Sequence, residues 1–268
     1  MESISERDLL IALSYRYNGE WENIYDAIIK KESASIEDVN LAKQSINSQV
    51  LTILDEEYPN NLMRAIRPPF VLYYYGDISL LSRFDNSLGV IGNREFSEYG
   101  EHMTRELVKG VSNKLVIVSG LAKGVDSIAA DECLKQGGKT IAVLGTGIDI
   151  CYPESSRELY ETIKRKGLIL SEYPHKTSGH NTDSFPKRNR IIAALSRNLL
   201  ITEAKKHSGT SITVNCLHSA ANLLCVPERA NIDSLCNILI KEGAKLITCP
   251  ADILDEYNLL DKNAEFEI

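Results

Sequence analysis

Several features that define common protein classes are missing from this chain of 268 residues. The N-terminus has no basic stretch followed by an apolar one, and no apolar run is long enough to span a bilayer. We therefore expect a cytoplasmic protein without membrane contact. The six cysteines include no CxxC pair and no Cys/His ligand spacing, which favours buried, reduced thiols.

Catalytic motifs are also scarce. The five histidines are scattered, and no Ser/His/Asp or Cys/His arrangement is indicated. The glycine-rich stretch VSGLAKGVDSIAA matches neither GxGxxG nor the Walker pattern, because no Lys-Ser or Lys-Thr pair follows its second glycine. The sequence gives no support for ATP hydrolysis, and we expect no metal and no cofactor.

The chain as a whole has no excess of positive charge, since its formal net charge is −7. That value alone argues weakly against a nucleic-acid partner. Between residues 176 and 206, however, seven Lys or Arg face two acids, which gives a local charge of +5. The distribution predicts one basic surface on an otherwise anionic protein.

The first part of the sequence has the spacing of helices. Apolar residues recur at helical intervals through ERDLLIALSYRY, WENIYDAIIKK and SIEDVNLAKQSINSQV, and Ser35 with Asp38 predicts a capping box. Prolines at 59, 68 and 69 then interrupt any helix. We place a domain boundary near residue 55, between a small all-helical domain (1–55) and a second domain (56–268) that ends in a short acidic tail.

Beyond that boundary, short apolar strands alternate with helices. The predicted strands are 70–76, 87–92, 115–120, 140–145, 168–174, 199–204 and 223–227, and the predicted helices include 97–113, 126–136, 156–166 and 210–221. Near-continuous apolar strands in this alternation are typical of parallel strands covered on both faces. We predict an α/β protein with a doubly wound, mostly parallel sheet.

Three loops follow predicted strands, where ligands bind in such folds. In VIGNREFSEYG, Arg94 lies next to a helix that Ser97 would cap, which suits a phosphate but equally a solvated arginine. In the second loop, Ser119 and Gly120 belong to a turn of the kind that cradles phosphates, and Asp126 is expected to cap the next helix. In the third loop, Asp149 lacks a catalytic partner.

The stretch FPKRNRIIAAL places three cations in four residues before a buried segment. We expect Lys187 to Arg190 in the first turn of a helix or in the loop before it, where cations oppose the helix dipole. Either an anion lies among them, or they form a solvated run beside a core helix. Local rules are often broken at functional sites, which favours the anion site.

These motifs together resemble the DNA-processing protein A (DprA/Smf) family. The resemblance covers about 70% of the chain, from Tyr58 to Ala244, through YPNNL, PPFVLYYYGD, VIGNREFSEYG, SGLAKGVDSIAA, GTGIDICYP, SEYP, FPKRNRIIAALS and TEAKKHSGTSIT. It implies an extended Rossmann-like domain that binds single-stranded DNA without catalysis. It further implies protection of incoming DNA in natural transformation, loading of the RecA recombinase, and a homodimer formed by the later part of that domain. The N-terminal helices resemble a sterile-alpha-motif-like or helix-hairpin-helix-like domain.

The family's DNA pocket, carried over by motif, falls on seven residues: Arg94, Ser119, Gly120, Lys187, Arg188, Asn189 and Arg190. Phe185 would add a face for a base. The chain departs from the family at VPER (226–229), where VPG is common, which puts the dimer geometry in doubt. A nucleoside monophosphate phosphoribohydrolase-like enzyme and a nucleotide sensor are the alternatives. The enzyme lacks support because no paired glycines precede, and no glutamate follows, the GT of TEAKKHSGTSIT.

Overall fold

Strands and helices alternate along most of the chain, as the sequence predicts. The structure, a computed structural model, describes residues 4–175, 183–206, 208–215, 222–230 and 232–259. The helices are α1 (Glu6–Arg16), α2 (Trp21–Ile29), α3 (Ile36–Ser45), α4 (Asn60–Met63), α5 (Glu98–Val111), α6 (Val125–Lys135), α7 (Arg157–Lys166), α8 (Ser184–Ala194), α9 (Gly209–Asn215), α10 (Leu235–Lys241) and α11 (Pro250–Asp255). The strands are β1 (Gln49–Thr52), β2 (Val71–Gly76), β3 (Ser87–Ile91), β4 (Val116–Ser119), β5 (Thr140–Gly147), β6 (Leu168–Tyr173), β7 (Asn198–Ile201), β8 (Asn222–Cys225) and β9 (Lys245–Leu246). Two 3₁₀ segments, Ile78–Asn86 and Glu154–Ser156, lie between them.

The described strands form one sheet in the order β1-β2-β6-β5-β4-β3-β7-β8-β9. All pairs from β6 to β9 are parallel, whereas β2 is antiparallel to both β1 and β6. The chain winds outward from β3 in one direction through β6 and in the other through β9. The switch point of the sheet therefore lies between β3 and β7, where ligand crevices form in doubly wound folds.

The N-terminal part differs from the prediction at one point. The capping box at Ser35 and Asp38 is confirmed, and three helices precede residue 46. The third helix nevertheless ends at Ser45, and β1 begins at Gln49 inside the segment predicted to be helical. Because β1 pairs with β2 from Gln49↔Tyr74 to Thr52↔Val71, it joins the sheet as an edge strand. The domain boundary near residue 55 stays a prediction.

Helix α8 is held against the sheet by the apolar half of the FPKRNRIIAAL stretch. Ile191 and Ile192 are each 1% exposed and pack in the same core cluster as Val143 of β5. Burial of one such side chain is worth about 1.5–3 kcal/mol. The cations of this helix are therefore attached to a fixed element.

The predicted cysteine chemistry agrees with the described part of the chain. Cys133, Cys151, Cys225 and Cys236 are buried and form no disulfide, and Cys249 is partly buried and also free. Cys216 and the second half of the helix predicted over 210–221 lie outside the described residues. None of the helices in the described ranges has the length and apolar character needed to cross a bilayer.

Candidate nucleic-acid interface

An open cavity of about 490 Å³ lies at the switch point of the sheet. We call it the switch-point cavity. Its walls are the loop after β3, the start of α6, the first turns of α8, the loop after β7, and α9. Four of the predicted site residues line it: Arg94, Phe185, Arg188 and Asn189.

Glu203 fixes the loop that carries Arg94. Its carboxylate, buried at the end of the β7 segment, accepts hydrogen bonds from the Ser97 N–H at 3.0 Å, from Ser97 Oγ at 2.6 Å and from Asn93 Nδ2 at 3.3 Å. A Cβ at Gly100 would collide with that carboxylate, which explains the glycine in SEYG. As predicted, Ser97 caps α5, since its Oγ accepts from the Gly100 N–H.

Arg94 and Lys205 carry their charges at the mouth of the switch-point cavity. Both side chains are exposed, and the Lys205 N–H donates to Asn93 Oδ1 at 3.2 Å, which links the two loops. Within the described ranges, neither cation lies within ion-pair distance of a carboxylate. These two charges are therefore available to an anionic ligand.

The glycine loop after β4 is occupied by contacts within the protein. Ser119 is buried, and its Oγ donates to Val90 O at 2.7 Å. The Gly120 N–H, predicted to bind a phosphate, donates to Asp126 Oδ2 at 3.1 Å. Asp126 is also not the cap of α6: the cap position is Gly124, and Asp126 is the second helical residue. The carboxylate lies two residues past the cap position and instead binds the amide of the loop.

Arg188 closes this buried network. Its Nη1 donates to Gly120 O at 2.6 Å and to Val143 O, and its Nε donates to Asn189 Oδ1 at 3.1 Å. Burial raises the pKa of Asp126, which the charge of Arg188 opposes, and burial lowers the pKa of Arg188 to about 10. Arg188 therefore stays protonated at neutral pH, with its charge compensated by protein groups.

The other cations of α8 have carboxylate partners as well. The helix begins at Ser184, so Lys187 ends the predicted first turn, whereas Arg188 to Arg190 lie in the second turn. Lys187 Nζ lies 2.9 Å from Glu20 Oε2 and 3.8 Å from Glu22 Oε2. The anion near Lys187 is thus a pair of carboxylates at the start of α2.

Arg190 forms a buried, two-pronged ion pair. Its Nη2 donates to both carboxylate oxygens of Glu172, at 2.7 and 2.8 Å, and its Nε donates to Arg67 O at 3.0 Å. The two side chains are only 9% and 6% exposed. Arg190 therefore lies in the protein interior and does not line the switch-point cavity.

Phe185 contributes an aromatic wall to the cavity. Its ring lies 5.5 Å from the ring of Tyr152, and the Arg94 guanidinium lies 5.8 Å from the Phe185 centroid. A Cβ at Gly145 would approach Phe185 to 2.7 Å, so the ring is packed tightly against β5. An aromatic face beside an exposed cation can hold a base next to its phosphate.

Sequence reasoning missed two contributors to this site. Lys205 and Glu203 were both counted in the local charge, but neither was assigned to the pocket. Both follow β7, so the rule that ligands bind at carboxyl ends of parallel strands would have included them. Of the predicted residues, Ser119, Gly120, Lys187 and Arg190 do not line the cavity.

Comparisons with known proteins agree with the motifs. A family model described as DNA recombination-mediator protein A matches residues 49–258. The chain is 38% identical over 235 residues to DNA processing protein DprA of Streptococcus pneumoniae, covering 86% of this chain and 82% of that protein. It is 38% identical over 234 residues to Protein Smf of Synechocystis sp., covering 84% of this chain but 58% of Smf.

Solved structures give the same relationship. The X-ray structure of DNA processing protein A from Streptococcus pneumoniae matches with a TM-score of 0.79 at 35% identity, covering 95% of this chain and 94% of that chain. DNA processing protein A from Helicobacter pylori, solved for its single-stranded DNA binding mode, matches with a TM-score of 0.70 at 30% identity, covering 78% and 96%. The family resemblance and the predicted fold class are confirmed.

Proposed function

The chain belongs to the DNA recombination-mediator protein A family, and we propose that it is a recombination mediator that binds single-stranded DNA in the switch-point cavity. The main support for this proposal is the environment of Arg94. Its guanidinium is exposed on a loop fixed by Glu203, and no carboxylate in the described ranges pairs with it. A fixed, planar cation with free donors suits a phosphate oxygen. The Helicobacter pylori relative supports single-stranded DNA as the ligand.

The neighbouring groups support backbone binding with little sequence preference. Lys205 offers a second cation, and Phe185 offers a face on which any base can stack. Each phosphate neutralised on a single strand contributes a slope of about −0.7 to the dependence of log affinity on log salt. Two contacts therefore predict a slope of about −1.4 or steeper.

Two acids at the cavity, Asp126 and Glu203, are engaged in structural bonds, and the exposed Glu95 also lines the cavity. Asp126 accepts the Gly120 N–H and faces Arg188, so its oxygens are engaged. Glu203, which holds the loop that carries Arg94, is engaged by Ser97 and Asn93. A general base must reach its proton directly or through one water, and both carboxylates are held by structural bonds instead.

Family membership supports a proposal for the biological role. We propose that the protein protects incoming DNA in natural transformation, loads RecA onto it in the cytoplasm, and acts as a homodimer through the later part of the Rossmann-like domain. The VPER departure lies there: Glu228 accepts from Ser234 Oγ at 2.7 Å, and its N–H donates to Asn237 Oδ1 at 3.0 Å. The family's VPG turn is thus replaced by a segment bonded to the start of α10.

A titration of labelled oligo-dT at several salt concentrations tests the DNA site. We expect Arg94→Ala to weaken binding about 10-fold or more, since a hydrogen bond to a charged group is worth about 1.5–3 kcal/mol. The salt slope should become shallower by about 0.7, which corresponds to one phosphate contact. RecA assembly on the same strand, followed in parallel, should speed up with the wild type and less with the variant.

Arg83→Ala is the matched control. Arg83 is an exposed arginine just before the amino end of β3, whereas the cavity lies at the carboxyl end of that strand. Its removal makes the same change in net charge. Equal losses for Arg94→Ala and Arg83→Ala would indicate nonspecific charge attraction, and would contradict the assignment of the site. An unchanged salt slope for Arg94→Ala would do the same. Release of a free base from AMP or CMP would instead favour the enzyme alternative.

A further inference from the structure

A second cavity, of about 270 Å³, lies between α2 and α8. We call it the Trp21 cavity. Carbon-rich surfaces of Trp21, Ile66, Tyr173 and Pro186 line it, together with Arg67 and Arg190. Trp21 is fixed there, because its Nε1 donates to Pro68 O at 2.8 Å and its ring stacks with Tyr25 and Phe70.

The charges around this second cavity cancel in pairs. Arg190 is paired with Glu172, Lys187 with Glu20, and Arg67 with Glu22. A phosphate entering here would meet three carboxylates whose cations are already engaged. The lining therefore disfavours an anion and favours an uncharged, flat group that can be buried against carbon.

Its position relates the second cavity to the proposed DNA site. Pro186 lines both cavities, so a strand bound at Arg94 and Phe185 passes directly beside the Trp21 cavity. The volume lies just below the range of about 300–1,000 Å³ for pockets that hold drug-sized ligands, which fits one ring system. At the rim, the Arg67 guanidinium lies 5.5 Å from the Trp21 centroid, and such planar cations also stack on bases.

We propose that the Trp21 cavity receives one unstacked base of the bound single strand. The backbone then crosses Pro186 with a phosphate on the Arg94 side and a base on the Trp21 side. The N-terminal helices thereby become part of the DNA-binding surface, since α2 supplies one wall. This inference rests on the proposed single-stranded DNA binding.

Trp21 is the single tryptophan of the chain, so its fluorescence reports this cavity alone. We would titrate oligo-dT and an abasic oligonucleotide of the same length, recording anisotropy of the labelled DNA and Trp21 emission together. We expect oligo-dT to change both signals, and the abasic strand to bind through its phosphates and change anisotropy only. Anisotropy with oligo-dT but unchanged Trp21 emission would overturn the inference and leave the proposed function standing.

Ile66→Ala and Ile29→Ala form a matched pair of variants. Ile66 is 46% exposed and lines the cavity, whereas Ile29 is 63% exposed and does not, so neither truncation removes a core side chain. Because Ile66 supplies part of the apolar wall against which the base is buried, Ile66→Ala should weaken oligo-dT binding by up to about fivefold, with abasic binding unchanged. Equal affinities of the two variants for oligo-dT would overturn the inference. Absence of any anisotropy change with either strand would overturn the proposed function and the inference together.

Discussion

The cations around the switch-point cavity form two groups that differ in what surrounds them. Arg94 and Lys205 lie on loops after β3 and β7, are exposed, and have no carboxylate partner in the described ranges. Lys187, Arg188 and Arg190 lie in the first two turns of α8 and are bound to carboxylates or carbonyl oxygens of the protein. In the sequence, the second group is the more conspicuous. In the structure, the first group is the more available to DNA.

The difference shows that the number of Lys and Arg in a sequence segment does not tell how much positive charge a ligand can reach in the folded protein. A buried arginine with a carboxylate beside it contributes little to the field outside the protein, whereas an exposed arginine on a fixed loop contributes its full charge. We therefore assign Arg188 and Arg190 chiefly to the architecture of the cavity. Lys187 is intermediate, because its partner Glu20 is itself partly exposed.

Removing Arg190 should give the largest effect, and the effect should be on stability. Arg190→Met leaves the Glu172 carboxylate buried without its cation, which typically costs about 3–5 kcal/mol. Chemical denaturation followed by circular dichroism measures this change in the free energy of unfolding. The double variant Glu172→Gln/Arg190→Met should recover part of the loss, because no buried charge is left.

Arg94→Met is the control for the group of exposed cations. A surface substitution away from buried networks should change the free energy of unfolding by less than about 0.5 kcal/mol. If Arg190→Met were as stable as Arg94→Met and lost one phosphate contact in the salt slope, Arg190 would belong with the cations that bind DNA. The distinction between the two groups would then be wrong.

Gly120→Ala should have an intermediate effect and tests whether Arg188 is fixed. The new Cβ would lie 2.4 Å from Arg188 Nη1, and that guanidinium is held by Gly120 O and Val143 O. Overpacking of this kind costs about 1–3 kcal/mol, measurable by thermal or chemical unfolding. Gly209→Ala is the control, because Gly209 also borders the cavity but has open space around its Cβ position. Equal stability of the two variants would mean that Arg188 moves freely.

The fold was predictable to a large extent because its determinants are local. Apolar runs closed by glycine locate most strands within a few residues, and the Ser97 and Ser35 caps follow from short spacings. Strand β1 was missed for the opposite reason. Its four residues, QVLT, follow a helical pattern, and only their pairing with β2, from Gln49↔Tyr74 to Thr52↔Val71, makes them a strand.

The candidate site was predictable only in part, because residues from other elements of the fold decide which of its cations are paired and which are free to bind a ligand. Arg94 follows from its place after a strand. The partners of α8 do not, since Glu20 is 167 residues from Lys187 and Glu172 belongs to a neighbouring strand. The net charge of a sequence segment counts its Lys, Arg, Asp and Glu residues, but it does not show which of them form ion pairs with other elements in the folded protein. For the same reason, the N-terminal helices could not be connected to the DNA site from sequence.

The smallest expected effect concerns Lys187. It tests whether this residue belongs with the exposed cations or with those paired inside the protein. Glu20→Gln removes the carboxylate at 2.9 Å from Lys187 Nζ and leaves Glu22 at 3.8 Å. Because an exposed ion pair is worth up to about 1 kcal/mol, we expect affinity for oligo-dT to rise by up to about fivefold. The salt slope should steepen by up to about 0.7 as Lys187 gains a phosphate. Glu37→Gln, an equal change of charge on the exposed face of α3, is the control. Equal gains from both variants would mean that Glu20 acts only through net charge, and that Lys187 belongs with the architecture rather than with the ligand.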